Sequence, residues 1–321
     1  MTDTRRGTTG GVSLQDLGFL MFLGAVWGGA FLFLRIAAPQ VGPLWAAEIR
    51  IGLAAVILLA VAGPRAYRAL RGRFLKVAVV GAAFSAIPFS LIAFAALTLP
   101  AGFGALLNAA TPIFTALVAA AWLGHRLTGR AMAGMAVGVL AVLVLVGWSP
   151  LPLGPETVIA VAVSLVASLS YAIGGTFIRR YLPGVSGIEL ATGQLTSGAL
   201  LLLPFTILSG PPGAVGTDGL IALIGVATLS TALAWPIFFR VLSHTTPTVA
   251  STVTFIVPAF GITWGAIVLA ESVGPELIAG FGLVLVSLVL VTNMPMPSLG
   301  GLRPRLAAVL ATRSATSPSG I

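Results

Sequence analysis

Long apolar runs alternate with short polar breaks along the whole chain. The runs fall near 17–37, 44–63, 75–97, 101–123 and 131–148, then 157–178, 187–208, 219–241, 247–270 and 277–293. Each is close to the roughly 20 residues that a helix needs to cross a hydrocarbon core. The pattern predicts an all-α integral membrane protein with ten transmembrane helices. Residues 1–16 and 294–321 are poor in such runs and read as cytoplasmic tails. The paired arginines of "TRRGTT" lack the short apolar core of a cleavable signal, so the run after them reads as the first span.

The runs are not independent of one another. A shift of 146 residues sets Pro112 on Pro258, Phe114 on Phe260 and His125 on Glu271, and lays "AGMAVGVLAVLVLV" (133–146) over "AGFGLVLVSLVLVT" (279–292). A shift of 144 aligns "WGGAFLFLR" (27–35) with "YAIGGTFIR" (171–179). Two related five-helix halves, 17–148 and 157–293, are therefore expected. Because five is odd, the second half enters the membrane from the opposite side. The two form inverted repeats, an arrangement common among secondary transporters.

Pro112 and Pro258 carry a local consequence. A proline inside a helix leaves the carbonyl four residues earlier without its donor, and lipid tolerates that only beside protein or a wet cavity. Counting back four reaches Asn108 and Thr254, polar in both halves. Helices 4 and 9 are expected to bend there and turn polar groups toward a central path.

Composition agrees with the pattern: 58% hydrophobic and 8% charged residues, with a mean hydropathy of +1.08, where soluble domains carry about a quarter charged residues. The formal charge of +9 would suit nucleic acid if it were gathered on one face, but it is spread along the predicted loops. With the amino terminus inside, fifteen of the seventeen basic residues fall on cytoplasmic segments. The loops obey the positive-inside rule and both termini are expected in the cytoplasm. The chain has no cysteine, and His125 and His244 are too far apart for a helical metal pair. No cofactor or metal is called for.

The two remaining arginines are Arg35, at the outer end of helix 1, and Arg50, about six residues or roughly 9 Å into helix 2. Arg35 reads as an interfacial anchor. Arg50 either snorkels outward or faces an aqueous interior and attracts an anionic group; Glu48, two residues away, lies on another face of the helix. Trp27 and Tyr171 occupy matching repeat positions and Trp235 precedes Pro236, so all three are candidates for the wall of the path, whereas Trp45, Trp122 and Trp148 suit the interfacial belt. Gln194, within helix 7, is a further polar candidate. Glycine pairs at 24 and 28, 134 and 138, and 261 and 265 read as helix-packing surfaces.

Motifs for other chemistries are missing from the chain. There is no G-x-x-x-x-G-K-S/T, no H-E-x-x-H and no glycine-flanked serine nucleophile. No catalytic residue is therefore expected. Glu48 is the one acid inside a span, and it is shallow, so proton coupling is left open.

The residues "WGGAFLFLR", "ATPIFTALVAAAWLGHRLTGRAMAGMAVGVL" and "VPAFGITWGAIVLAESVGPELIAGFGLVLV" resemble the EamA-type members of the drug/metabolite transporter superfamily. The likeness covers 17–293. The family's Glu at the end of helix 9 is kept in "LAES" and replaced by "LGHR" at the end of helix 4. The resemblance implies a cavity built from helices 1–4 and 6–9, with helices 5 and 10 as packing or homodimer elements. It also implies efflux of amino acids or related metabolites across the bacterial inner membrane. The expected function is a secondary transporter of a small-molecule substrate working by alternating access in the lipid bilayer. Two alternatives stand beside it: a membrane-embedded enzyme acting on lipid-linked substrates, and the membrane subunit of a nucleotide-driven pump.

Overall fold

The computed structural model describes residues 14–148, 151–152, 154–244 and 252–292. Residues 1–13 of the first expected tail, all of the second, and the start of the ninth expected span at 247–251 lie outside the described residues, and with them Arg5, Arg6, Arg303, Arg305 and Arg313; Leu14–Asp16, expected in the first tail, open the first helix.

Helices account for nearly all of what is described. They are α1 (Leu14–Val41), α2 (Pro43–Leu70), α3 (Phe74–Ala95), α4 (Ala101–Leu123), α5 (Gly129–Gly147), α6 (Pro155–Tyr181) and α7 (Gly187–Leu208). After them come α8 (Thr217–Ala227, continuing through Thr228–Leu233 and Ala234–His244), α9 (Val253–Leu269) and α10 (Pro275–Val291). Among the described residues, eight helices are long and apolar enough to cross a membrane. The described parts of α9 and α10 are apolar and shorter, at 17 residues each.

Local chemistry explains where the helices begin. Gly42, with φ 87°, is the single residue between α1 and α2, and Pro43 opens the next helix. Glycine adopts that left-handed backbone without a Cβ clash, and proline at a first helical position removes an N–H that would have had no partner. Pro155 and Pro275 open α6 and α10 in the same way. At α5 the Ala131 N–H donates to Thr128 Oγ1 at 3.1 Å, a side-chain cap.

Two helices carry a π-helical stretch, Ala82–Ala86 in α3 and Thr228–Leu233 in α8. The 146-residue offset read from the sequence carries the start of one onto the start of the other. Such stretches widen a helix by one residue and re-aim its side chains. Both occur beside the cavity described below.

Helices in lipid gain little from the hydrophobic effect and associate by close packing through small residues. Here α1 crosses α9 at Gly28, where a Cβ would stand 2.8 Å from both Gly261 N and Val257 O. The chain of contact continues into α4, since a Cβ on Gly261 would meet that of Ala105 at 2.6 Å. Similarly α5 lies along α10: a Cβ on Gly134 would meet Leu290 Cβ at 2.7 Å, and Ser287 Oγ donates to Gly134 O at 2.7 Å. The other main pairings are α2 with α7, α3 with α6, and α1 with α8. The α5–α10 pair flanks the bundle, and the remaining helices surround its interior.

Candidate functional site

A cavity of about 390 Å³ is lined by residues of α1, α2, α3, α4, α6, α8 and α9, a size typical of small-molecule sites. Trp27, Arg50, Asn108, Tyr171, Trp235, Thr254 and Pro258, scattered over more than 230 positions of the sequence, come together on its wall.

The wall is largely aromatic. Trp27 meets Trp235 edge-on at 5.8 Å and Phe238 at 5.4 Å; Phe84 joins Tyr171 at 5.3 Å and Trp235 at 5.4 Å. Edge-to-face and tilted contacts of this kind hold rings in fixed orientations. The hydroxyls on the wall mostly serve the backbone. Thr111 Oγ1 donates to Asn108 O at 2.7 Å, Thr115 Oγ1 to Thr111 O at 2.8 Å, and Ser230 Oγ to Val26 O at 2.5 Å. The Asn108 Oδ1 atom is buried and has no hydrogen-bond partner.

Arg50 is the charged side chain of this wall. It is 6% exposed, and its Nε donates to Thr231 Oγ1 at 3.0 Å. Thr231 lies in the π-helical stretch of α8, where its hydroxyl donates onward to Val226 O at 2.8 Å. The guanidinium carbon sits 3.7 Å from the centroid of the Phe89 ring, a cation–π arrangement that fixes the plane of the fork. Arg50 does not reach outward along α2; it is buried on the cavity wall.

Two expected residues lie elsewhere. Gln194 is 2% exposed and does not line the cavity, because α7 packs on α2 and the first half of α3 and encloses it there. Pro112 is also off the wall. The α-helix stops at Asn108 and restarts at Thr111, so Pro112 falls in the first turn of a new segment, where no N–H is needed. The Asn108 carbonyl next to that break is taken by the Thr111 hydroxyl. Around Pro258, by contrast, α9 continues without interruption. The two prolines match in sequence and differ in backbone.

Sequence reading missed Phe31, Phe84, Phe89, Ile92, Thr111, Thr115, Ser230 and Phe238 on the wall. The repeat offset held the signal. Under a shift of 146, Trp235 falls on Phe89, Phe238 on Ile92, Ser230 on Phe84, Thr254 on Asn108 and Val257 on Thr111; under 144, Tyr171 falls on Trp27 and Gly175 on Phe31. Both members of all seven pairs line the cavity. Arg50 falls on Thr196 under the first shift and on Gln194 under the second, and neither lines the cavity.

One end of the bundle is tied shut. Arg35, expected as an interfacial anchor, donates from Nη1 to Ala96 O and Leu97 O, each at 2.8 Å, and its Nε stands 3.8 Å from Glu271 Oε1. The Glu271 carboxylate in turn accepts from the Ala101 N–H, 3.0 and 3.1 Å from its two oxygens, at the first turn of α4. Burial raises the Glu271 pKa above its ordinary value, and the Ala101 N–H and Arg35 offset part of that rise. Between this clip and the cavity lies a void of about 10 Å³ beside Phe31, Ile92 and Ala101, room for about one water. At the same end Gln40 Nε2 donates to Asp218 Oδ2 at 2.9 Å and Trp45 Nε1 to Gly210 O at 2.8 Å.

Among the described residues no cluster of three His, Cys, Asp or Glu is placed to hold a metal ion. The chemistry available on the wall is a positive charge, an amide and aromatic surface, which is the equipment for binding.

Comparison with known proteins adds the following. A model of the EamA-like transporter family matches residues 17–147 and again 158–293. Protein PecM of Dickeya dadantii is 25% identical over 288 residues, 89% of this chain and 94% of that one. A "Probable amino-acid metabolite efflux pump" of Escherichia coli is 24% identical over 274 residues, 81% and 89% of the two chains. A "Probable terminal-alkyne amino-acid exporter" of Streptantibioticus cattleyicolor is 29% identical over 180 residues, 56% of this chain and 59% of that one. A crystal structure that is 16% identical superposes with a TM-score of 0.60 over 88% of this chain and 98% of that one; it supports the fold.

Proposed function

The chain belongs to the EamA-like transporter family and is a transporter, not an enzyme; from that premise we propose that it exports amino acids or related small metabolites across the bacterial inner membrane by alternating access. In this reading all ten helices span the bilayer as two inverted five-helix repeats, 17–148 and 157–293, with both termini in the cytoplasm. The observation that carries the reading is the 390 Å³ cavity, walled by repeat-equivalent positions from both halves. A cavity walled by matching positions of two inverted copies has two equivalent ways to open, one toward each face of the membrane.

Each wall residue then has a role. Trp27, Tyr171 and Trp235 provide apolar surface, Asn108 and Thr254 polar contacts, and Arg50 the countercharge for an anionic group. The break before Pro112 and the helix around Pro258 are the places where α4 and α9 adjust. Gln194 supports the packing of α7 and does not touch cargo. The Arg35–Glu271 clip closes one mouth, so the described state opens at the other end, the inner one when the amino terminus is cytoplasmic.

Counterflow tests this. Purified protein in phosphatidylethanolamine–phosphatidylglycerol vesicles, preloaded with an unlabelled amino acid, is expected to accumulate the labelled one transiently without nucleotide. Arg50→Ala lowers the initial rate by at least tenfold. Accumulation that needs added ATP and a second protein would instead mark a pump subunit and end the secondary-transport reading.

A further inference from the structure

Taking the cavity as the cargo site, as proposed above, we infer that it selects cargo by a single carboxylate on an apolar body and gives a charged amine no counter-ion. N-acylated amino acids and other apolar monocarboxylates are the chemical class that fits it best.

The charge inventory of the wall is one-sided. Among the described residues lining the cavity, Arg50 is the only charged one, and no Asp or Glu joins it. Residues 245–251, outside the described ones, have the sequence "TTPTVAS" and contain no acid. Glu48 is buried and off the wall, on a different face of α2 from Arg50. The Arg50 charge is thus held in a poorly hydrated place without a carboxylate beside it. Its Nε and one ring face are occupied by Thr231 and Phe89. No hydrogen bond or ion pair among the described residues engages its two Nη groups. A planar fork oriented in this way matches the two oxygens of a carboxylate.

The amine of a free amino acid gets no such reception. Leaving water costs an ammonium group more than attraction to ring faces returns, and the nearby guanidinium repels it. The Asn108 side chain is a neutral polar group of the wall, and its buried Oδ1 has no hydrogen-bond partner. It accepts a hydrogen bond from a neutral amide N–H as readily as from an ammonium, and the amide is cheaper to dehydrate. Acylation removes the charge and keeps the N–H. The aromatic wall of Trp27, Tyr171 and Trp235 takes the apolar remainder.

Arg50 is also the feature that the duplication does not share. Neither offset brings a counterpart onto the wall, since Thr196 and Gln194 both lie off it, so the site has a charged side and an uncharged one, and the cargo is held with its acid toward α2.

The test is a three-ligand panel on the full-length protein in detergent, read by intrinsic tryptophan fluorescence, to which Trp27 and Trp235 contribute from the wall, with counterflow measured in parallel. N-acetyl-phenylalanine is expected to bind at least tenfold more tightly than phenylalanine, and phenylalanine methyl ester, which lacks the carboxylate, to give no saturable change. Arg50→Lys retains weakened binding and Arg50→Gln loses it. Should either variant fail to fold, the panel on the unaltered chain decides by itself. Equal or tighter binding of the ester, tighter binding of free phenylalanine than of its N-acetyl form, or no saturable binding of any of the three overturns the inference. Saturable binding of N-acetyl-phenylalanine without counterflow supports the carboxylate site and overturns the transport reading instead.

Discussion

The ends of α4 and α9 are copies in backbone and differ in chemistry. Both helices finish on a left-handed residue, Gly124 with φ 71° and Ala270 with φ 52°, related by the 146-residue offset. In each case the following N–H returns to the carbonyl six residues back, His125 N to Ala119 O at 3.4 Å and Glu271 N to Gly265 O at 3.1 Å. Past that point they diverge. His125 is exposed, and among the described residues the nearby ties are the bond from Arg180 Nη1 to Trp122 O at 2.8 Å and the contacts of the Trp122 ring with Phe177 and Tyr181. Glu271 is drawn in, binds the start of α4 and faces Arg35. Under the proposed inverted-repeat reading, the duplicated backbone provides two equivalent mouths, and one side chain decides which is fastened. This is a way for an otherwise symmetric frame to prefer one state.

Removing the fastening has the largest expected effect. Glu271→Ala leaves the Ala101 N–H and part of the Arg35 fork unmatched, a loss of about 1–3 kcal/mol for a buried donor. It should appear as a lower Tm in detergent, while His125→Ala stays within about 0.5 kcal/mol, as an exposed position should. Equal losses for the two would end the contrast drawn between the mouths.

A smaller effect isolates the shared backbone. A left-handed residue bearing a Cβ costs roughly 1–2 kcal/mol, so Gly124→Ala should destabilise by about that amount and Ala270→Gly should stabilise by about 1 kcal/mol. Thermal unfolding of the two variants measures both. If the signs agree, the two caps are not equivalent.

The smallest effect is in the pH profile. An acid whose pKa is raised by burial binds its proton more tightly in the folded chain than in the unfolded one, so its contribution falls as pH rises from the ordinary carboxylate value of 4.5 through the elevated one. Glu271→Gln, which cannot titrate, should flatten that part of the Tm–pH curve. An unchanged slope would mean that another group sets it.

Much of this architecture was legible beforehand. The apolar runs located the helices because spanning lipid demands length and hydrophobicity whatever the packing partners are. The glycines at 24, 28, 134 and 138 identified helix crossings because close approach excludes a Cβ. The repeat offset contained two thirds of the cavity wall, although Trp27 and Tyr171 were recognised through it and Phe89, the match of Trp235, was not. Phenylalanine occurs seventeen times in the chain and carries no polar mark of a site. Gln194 was read as a contact for the path because polarity inside a span is unusual, yet a buried amide is equally at home between packed helices. The Arg35–Glu271 clip was out of reach, since its partners stand 236 positions apart and neither residue names the other.

The sequence by itself determined that the chain lives in lipid, how many apolar segments it has and how its halves correspond, because each of these follows from local composition and period. Only the tertiary structure decided which aromatic rings meet, that Arg50 is held by Thr231 and Phe89, that α4 breaks before Pro112 while α9 continues around Pro258, and which mouth is tied. Those outcomes depend on side chains from distant segments sharing a few cubic ångströms, and distance along the chain carries no record of that.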